Sequence, residues 1–206
     1  MKAQFGSVTR ESDVCVLCGQ RPATTGEHIP PRSLFIKRPE QYLVVPACEE
    51  CNQSTKLDDE YLRQVMSASS WTPEGLEVWS RKVAAKFNDY PATKAGLRNQ
   101  LDEIPIELPN LGEVPVRVLL ADEERINRVA RKMVRGLYWF HTGELLGQDV
   151  PISLQMLNNV QVYELLNSPE QMEVLRKTAM GVYRDPEVSR TFFYQAAVSP
   201  DRCRKV

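Results

Sequence analysis

The sequence predicts an α+β fold, with a small cysteine-bearing domain over residues 1–70 and a mixed α+β domain over residues 71–206. Three observations predict it. Four of the five cysteines fall in two C-x-x-C pairs, Cys15/Cys18 and Cys48/Cys51, inside a turn-rich first third. Val114, Val116 and Val118 alternate in the strand period, and Ile126, Val129, Ala130, Met133, Leu137 and His141 recur in the helix period. The 206 residues allow one large domain or two small ones. Apolar residues make up 42% and charged residues 26%, which argues against wholesale disorder and against a fibrous chain.

In chain order, Gly19, Pro22, Gly26, Pro30, Pro31 and Pro39 punctuate the first third. Leu43-Val44-Val45 reads as a short buried strand leading to the second cysteine pair. Leu57, Tyr61, Leu62, Val65 and Met66 then predict a helix from that pair to about Ser67. Ser69, Ser70, Thr72, Pro73 and Gly75 read as a linker. Leu76, Trp79, Val83 and Phe87 suit one amphipathic helix, and Val114 to Leu120 a strand. Asp122 is the predicted N-cap of a long helix ending near Gly143. Pro169 to Gly181 reads as another helix, with Met172 and Leu175 inside, and Thr191 to Val198 as a strand.

Met1 to Val14 is polar and lacks a signal-peptide core, and no run of about 18 apolar residues exists. Together these predict a cytoplasmic chain that does not enter a membrane. In a reducing compartment a disulfide framework is disfavoured. Two C-x-x-C pairs at this separation instead fit a four-thiolate Zn²⁺, each pair placing two sulfurs on one tight turn. A complete four-cysteine set leaves no open position for water, so this zinc is structural. Cys203 is left over. The net charge of −1 excludes a uniformly basic surface, so any nucleic-acid contact rests on local patches or on a partner.

Between the cysteine pairs lies Thr24-Thr25-Gly26-Glu27-His28-Ile29-Pro30-Pro31, and directly after the second pair comes Asn52. In the order C-x-x-C, acidic-His, C-x-x-C-Asn, the segment from Val14 to Tyr61 resembles the HNH endonuclease superfamily. These are the ββα-metal nucleases, and the likeness is to the branch braced by a four-cysteine zinc, as in phage resolving endonucleases. The resemblance implies a ββα-metal, treble-clef-like first domain that hydrolyses phosphodiester bonds in DNA. His28 would be the general base, with Glu27 and Asn52 as ligands of a catalytic Mg²⁺ or Mn²⁺. It makes phage defence, restriction, recombination and mobile elements plausible settings.

The chemistry of the residues agrees. An imidazole takes a proton near neutral pH. A carboxylate and an amide oxygen suit a hard, partly hydrated cation. Neighbours on a regular strand point to opposite faces, so the resemblance requires an irregular exit at Glu27–His28, for which Pro30 and Pro31 are suited. The family's last motif position has no histidine here, and Lys56, Asp58 and Asp59 are the nearest polar residues. Asp59 is a candidate third metal ligand, and Lys56 a candidate phosphate contact.

Arg32, Lys37 and Arg38 follow the His28 loop and are candidate contacts to a substrate backbone. Arg125, Arg128, Arg131, Lys132 and Arg135 form a basic stripe, either an exposed face or a nucleic-acid surface. His141 reads as a core or cap residue, and Arg202, Arg204 and Lys205 as a basic tail around Cys203. The second domain shows no nameable motif, and beside the nuclease domain it would supply substrate choice, a homodimer contact or a partner-protein surface. Two other functions stay open: a non-catalytic zinc module for protein or nucleic acid, and an HNH nuclease that cuts RNA.

Overall fold

Thr25–Ile29 and Leu43–Ala47 carry β-branched and apolar residues in the strand period, and they pair antiparallel as β1 and β2, Glu27 opposite Val45 and His28 opposite Val44. The computed structural model of the protein describes residues 11–37, 43–70, 72–87, 89, 91–108, 112–152, 164, 167–170, 173, 179–182 and 195–197. Met172, Leu175, Arg38, Cys203 and the basic residues at 202, 204 and 205 lie outside them. The fold is mixed α+β, with small antiparallel two-stranded sheets.

Cys48 caps α1 (Glu49–Ser54), its sulfur accepting from the Cys51 N–H, and Glu49 and Glu50 complement the helix dipole in the first turn. Thr55 breaks the expected single helix, and α2 runs from Lys56 to Ala68. The expected linker in fact contains a helix start. Thr72 Oγ1 accepts from the Gly75 N–H at 3.1 Å and Pro73 opens α3 (Pro73–Val78), a Thr-Pro N-cap signature. The expected single helix through Phe87 gives way to a π turn at Trp79–Val83 and a 3₁₀ turn at Ala84–Lys86. Next come α4 (Pro91–Asn99) and the hairpin β3 (Leu101–Leu108) with β4 (Gly112–Leu119). Sequence reading foresaw only the β4 half, because Asp102, Glu103 and Pro105 mask the strand pattern of β3.

The long helix α5 (Glu123–Thr142) has both predicted ends: Asp122 Oδ1 accepts from the Arg125 N–H, and Gly143 closes it at φ +80°. Beyond it, β5 (Ala179–Val182) pairs with β6 (Gln195–Ala197). The strand expected at 191–198 is present in part, whereas the helix expected to reach Gly181 gives way to β5 from residue 179.

Apolar residues set where α5 docks. One core cluster joins Cys15, Val16, Leu17, Ile29, Leu43, Val45, Ala47 and Cys48 to Trp139, with Met133, Leu137 and Phe140 packed against it. A second joins Tyr61, Leu62 and Val65 of α2 to Ile126 and Val129. The cysteine-bearing hairpin therefore shares its core with a helix from beyond residue 70. At Gly136 the backbone of α5 approaches β1 so closely that a Cβ there would meet Ile29 Cγ1 at 2.8 Å. Tyr61 ties the helix ends together, its hydroxyl accepting from the Asp122 N–H at 2.7 Å and donating to Gln100 Oε1 at 3.3 Å. His141 is half-buried, its ring edge-on to Phe140. No helix among the described residues is long and apolar enough to cross a membrane.

Candidate metal centre and the Glu27–Lys132 cluster

The first cysteine pair sits on a tight turn closed by the Gly19 N–H donating to Cys15 O at 2.7 Å. The second pair sits at the start of α1. The turn is fixed to β2 by the Val16 N–H on Pro46 O at 2.9 Å, and to the following chain by the Cys15 N–H on Arg21 O at 2.7 Å. The sulfurs of Cys15, Cys18, Cys48 and Cys51 all lie within 4.8 Å of one another. Four thiolates about 2.3 Å from a tetrahedral Zn²⁺ stand about 3.8 Å apart, so the cluster has the right donors and nearly the right size for structural zinc.

Local groups favour the thiolate at Cys18 and Cys48, whereas burial disfavours it at Cys15 and Cys51. Burial opposes the charge on Cys18, but the backbone N–H groups of Arg21 and Gln20 outweigh it and bring the thiol down to about 6. Arg21, which sequence reading missed, donates from Nε to Cys48 Sγ at 3.3 Å and from Nη2 to Cys51 Sγ at 3.5 Å, and it also pairs with Glu50. Four thiolates on a divalent ion leave two negative charges, and a guanidinium against two of the sulfurs offsets part of that charge. A cation three residues after the first pair was the available signal.

Asn52 follows the second pair and reaches back to β1. Its Nδ2 donates to Thr25 Oγ1 at 3.0 Å and to Gly26 O at 3.3 Å. The amide is thus anchored beside Glu27 and His28. These two neighbours lie in regularly paired strand, so they face opposite ways. The irregular exit expected from the resemblance is not there. β1 stays paired through Ile29, and only then comes a cis Ile29–Pro30 peptide. His28 is half-buried on the outer face, while Glu27 is 4% exposed on the inner one.

Inside, Glu27 meets Lys132 of α5, whose Nζ donates to Glu27 Oε1 at 3.1 Å, to Thr55 Oγ1 at 2.8 Å, and to Asp59 Oδ1 and Oδ2 at 2.8 and 2.9 Å. Burial pushes the Glu27 and Asp59 carboxyls up and Lys132 pulls them back, with burial the larger effect. Glu27 Oε2 is buried with no hydrogen-bond partner. Two carboxylates share one ammonium, and one carboxylate oxygen is left over.

The other predicted residues are spread around this centre. Lys56, Arg32 and Lys37 are exposed. Asp58 is buried and accepts from Arg125 Nε at 2.7 Å and Arg128 Nε at 2.8 Å, with the Arg125 guanidinium 4.2 Å from the Tyr61 ring centre. Arg131 pairs with Glu124. The expected basic stripe is therefore not one face. Lys132 is buried at 5% exposure among Ile126, Val129 and Gly136, and Arg125 and Arg128 clamp α5 to α2 through one carboxylate. No family model matches the chain, and neither does any curated protein or solved structure.

Proposed function

We infer that the protein is a metal-dependent HNH-type endonuclease that hydrolyses phosphodiester bonds in DNA, on a treble-clef-like ββα unit braced by zinc. The observation that carries this reading is the Asn52 hydrogen bond to Thr25 and Gly26. It joins the first turn after the second cysteine pair to the strand bearing Glu27 and His28, so the residues of the resemblance meet at one hairpin–helix junction. A two-stranded sheet leaves β1 as an edge.

In this reading His28 takes the proton from the attacking water. Lys132, itself held by Thr55 and Asp59, holds the Glu27 carboxylate in place. Asn52, anchored through its nitrogen, presents its oxygen. Glu27 and Asn52 would hold Mg²⁺ or Mn²⁺, which supplies charge neutralisation at the phosphate and the leaving oxygen. Zn²⁺ at Cys15, Cys18, Cys48 and Cys51 keeps Asn52 against the hairpin, and the thiolates it needs fit a reducing cytoplasm.

The test is nicking of supercoiled plasmid by zinc-loaded protein with Mg²⁺, with Mn²⁺ and with neither, beside His28→Ala. Metal-dependent cutting that disappears in His28→Ala supports the reading, and competition between matched DNA and RNA identifies the substrate. A non-catalytic zinc module is the second reading. The ammonium already seated on Glu27 favours it, since that carboxylate has its countercharge without a metal. Intact plasmid, RNA and branched DNA, with no Mg²⁺ bound, would select it.

A further inference from the structure

Beside the catalytic loop lies a group of cations that the reading above does not use. Arg63 of α2 is 6% exposed, yet its Nε has no hydrogen-bond partner, and no ion pair of its guanidinium occurs among the described residues. A buried guanidinium without an acceptor is costly, because desolvation is not compensated.

Its surroundings are positive. The turn at Arg32–Leu34, four residues past His28, packs on α2 and is fixed there by Ser33 Oγ donating to Asp59 O at 3.0 Å. The π turn packs on α2 as well and brings Lys82, whose Nζ donates to Phe35 O and keeps two N–H groups for another acceptor. Burial, together with the charges of Arg63, Lys86 and Arg32, pushes the Lys82 ammonium below its ordinary range. The acid that acts on Arg63 is Glu60. Arg32 and Lys86 are exposed, Lys82 is half-buried and Arg63 is buried, so the four cations grade from an exposed rim pair to the buried Arg63.

We propose that Arg32, Arg63, Lys82 and Lys86 form a binding site for a phosphate group, with the unpartnered Arg63 guanidinium as its floor. An oxyanion there supplies the acceptor that Arg63 lacks and relieves the mutual repulsion of the cations. The phosphate is either that of a nucleic-acid backbone, held a few nucleotides from the cut, or a free phosphate. The backbone source rests on the nuclease reading, whereas the site itself does not.

The experiment uses zinc-loaded full-length protein carrying His28→Ala, with no other divalent metal added, so that binding is read apart from cutting. Fluorescence anisotropy of a labelled DNA duplex is measured across a salt series, and the melting temperature is measured with and without inorganic phosphate. The variants are Arg63→Met, and Arg32→Gln with Lys86→Gln, the latter pair being exposed and safe for folding. For a backbone site, the rim pair weakens DNA binding several-fold and lowers the log–log salt slope by about 1 to 2. Phosphate also competes with DNA. For a free-phosphate site, phosphate raises the melting temperature of the parent and not of the rim pair, and DNA binding does not change. If neither the salt slope nor the phosphate effect differs between the parent and the rim pair, the site is refuted. Plasmid nicking in the His28 protein is unaffected by that outcome and judges the nuclease reading separately.

Discussion

Lys132 Nζ lies 3.1 Å from Glu27 Oε1, and the two side chains are only 4% and 6% exposed. The residues are 105 positions apart, on α5 and β1. The pair links the first cysteine-bearing segment to the long helix at the centre of the proposed site, and Asp59 shares the same ammonium at 2.8 Å.

Lys132→Met should be strongly destabilising. It leaves the buried Glu27 and the half-buried Asp59 carboxylates without a countercharge, a loss of about 3–5 kcal/mol. Urea unfolding measures it. Adding Glu27→Gln to Lys132→Met should recover part of the loss, because the uncompensated charge is then removed. A cost below about 1 kcal/mol for Lys132→Met alone would show that the ammonium does not sit between these acids.

Removing zinc should abolish the cooperative melt of the hairpin segment. Binding of structural zinc is worth about 10–16 kcal/mol in small domains, comparable to a whole domain's stability. A chelator with a colorimetric zinc assay, followed by circular dichroism, reads both events together. Arg21→Met should keep the fold but weaken zinc about tenfold, because Cys48 and Cys51 lose a donor and a countercharge.

Asp58 should make stability acid-sensitive. Hydrogen bonds from Arg128, then Arg125, hold its carboxyl below the ordinary value of about 3.9 in the folded state. A depressed carboxyl contributes stability above its unfolded pKa and loses it as pH falls through the folded one. The difference in unfolding free energy between wild type and Asp58→Asn should therefore be flat from pH 7 to about 5, at about 1–2 kcal/mol. It should shrink below about pH 4. A difference that grows in acid would contradict the clamp.

Gly136→Ala should destabilise by about 1–2 kcal/mol, although alanine is the better helix former by about 1 kcal/mol. The new methyl meets Ile29, which is 1% exposed and has nowhere to move. Chemical unfolding checks it. Ile29→Val in the same chain should relieve part of the cost, whereas an additive pair would mean that α5 does not rest on β1 there.

The features legible in the chain are local ones. The cysteine turns, β2 and both ends of α5 follow from spacing, β-branching, the Asp122 cap and the Gly143 stop, each set by a few neighbouring residues. The bracketing of Glu27–His28 and Asn52 by the cysteine pairs was equally legible. Packing between distant segments set the rest. Lys132 stands one position from Met133 of the apolar stripe and one from Arg131 of the charged one. Helical periodicity alone does not say to which side it turns; only the buried Glu27 and Asp59 across the interface make burying an ammonium tolerable. Arg63 likewise reads as an ordinary charge on α2, yet it is buried in the fold, where the turns at Arg32 and Lys82 pack on the same helix. The pairing of β3 with β4 and the docking of α5 on the hairpin depend on contacts between distant residues. Short-range pattern carries no record of those contacts.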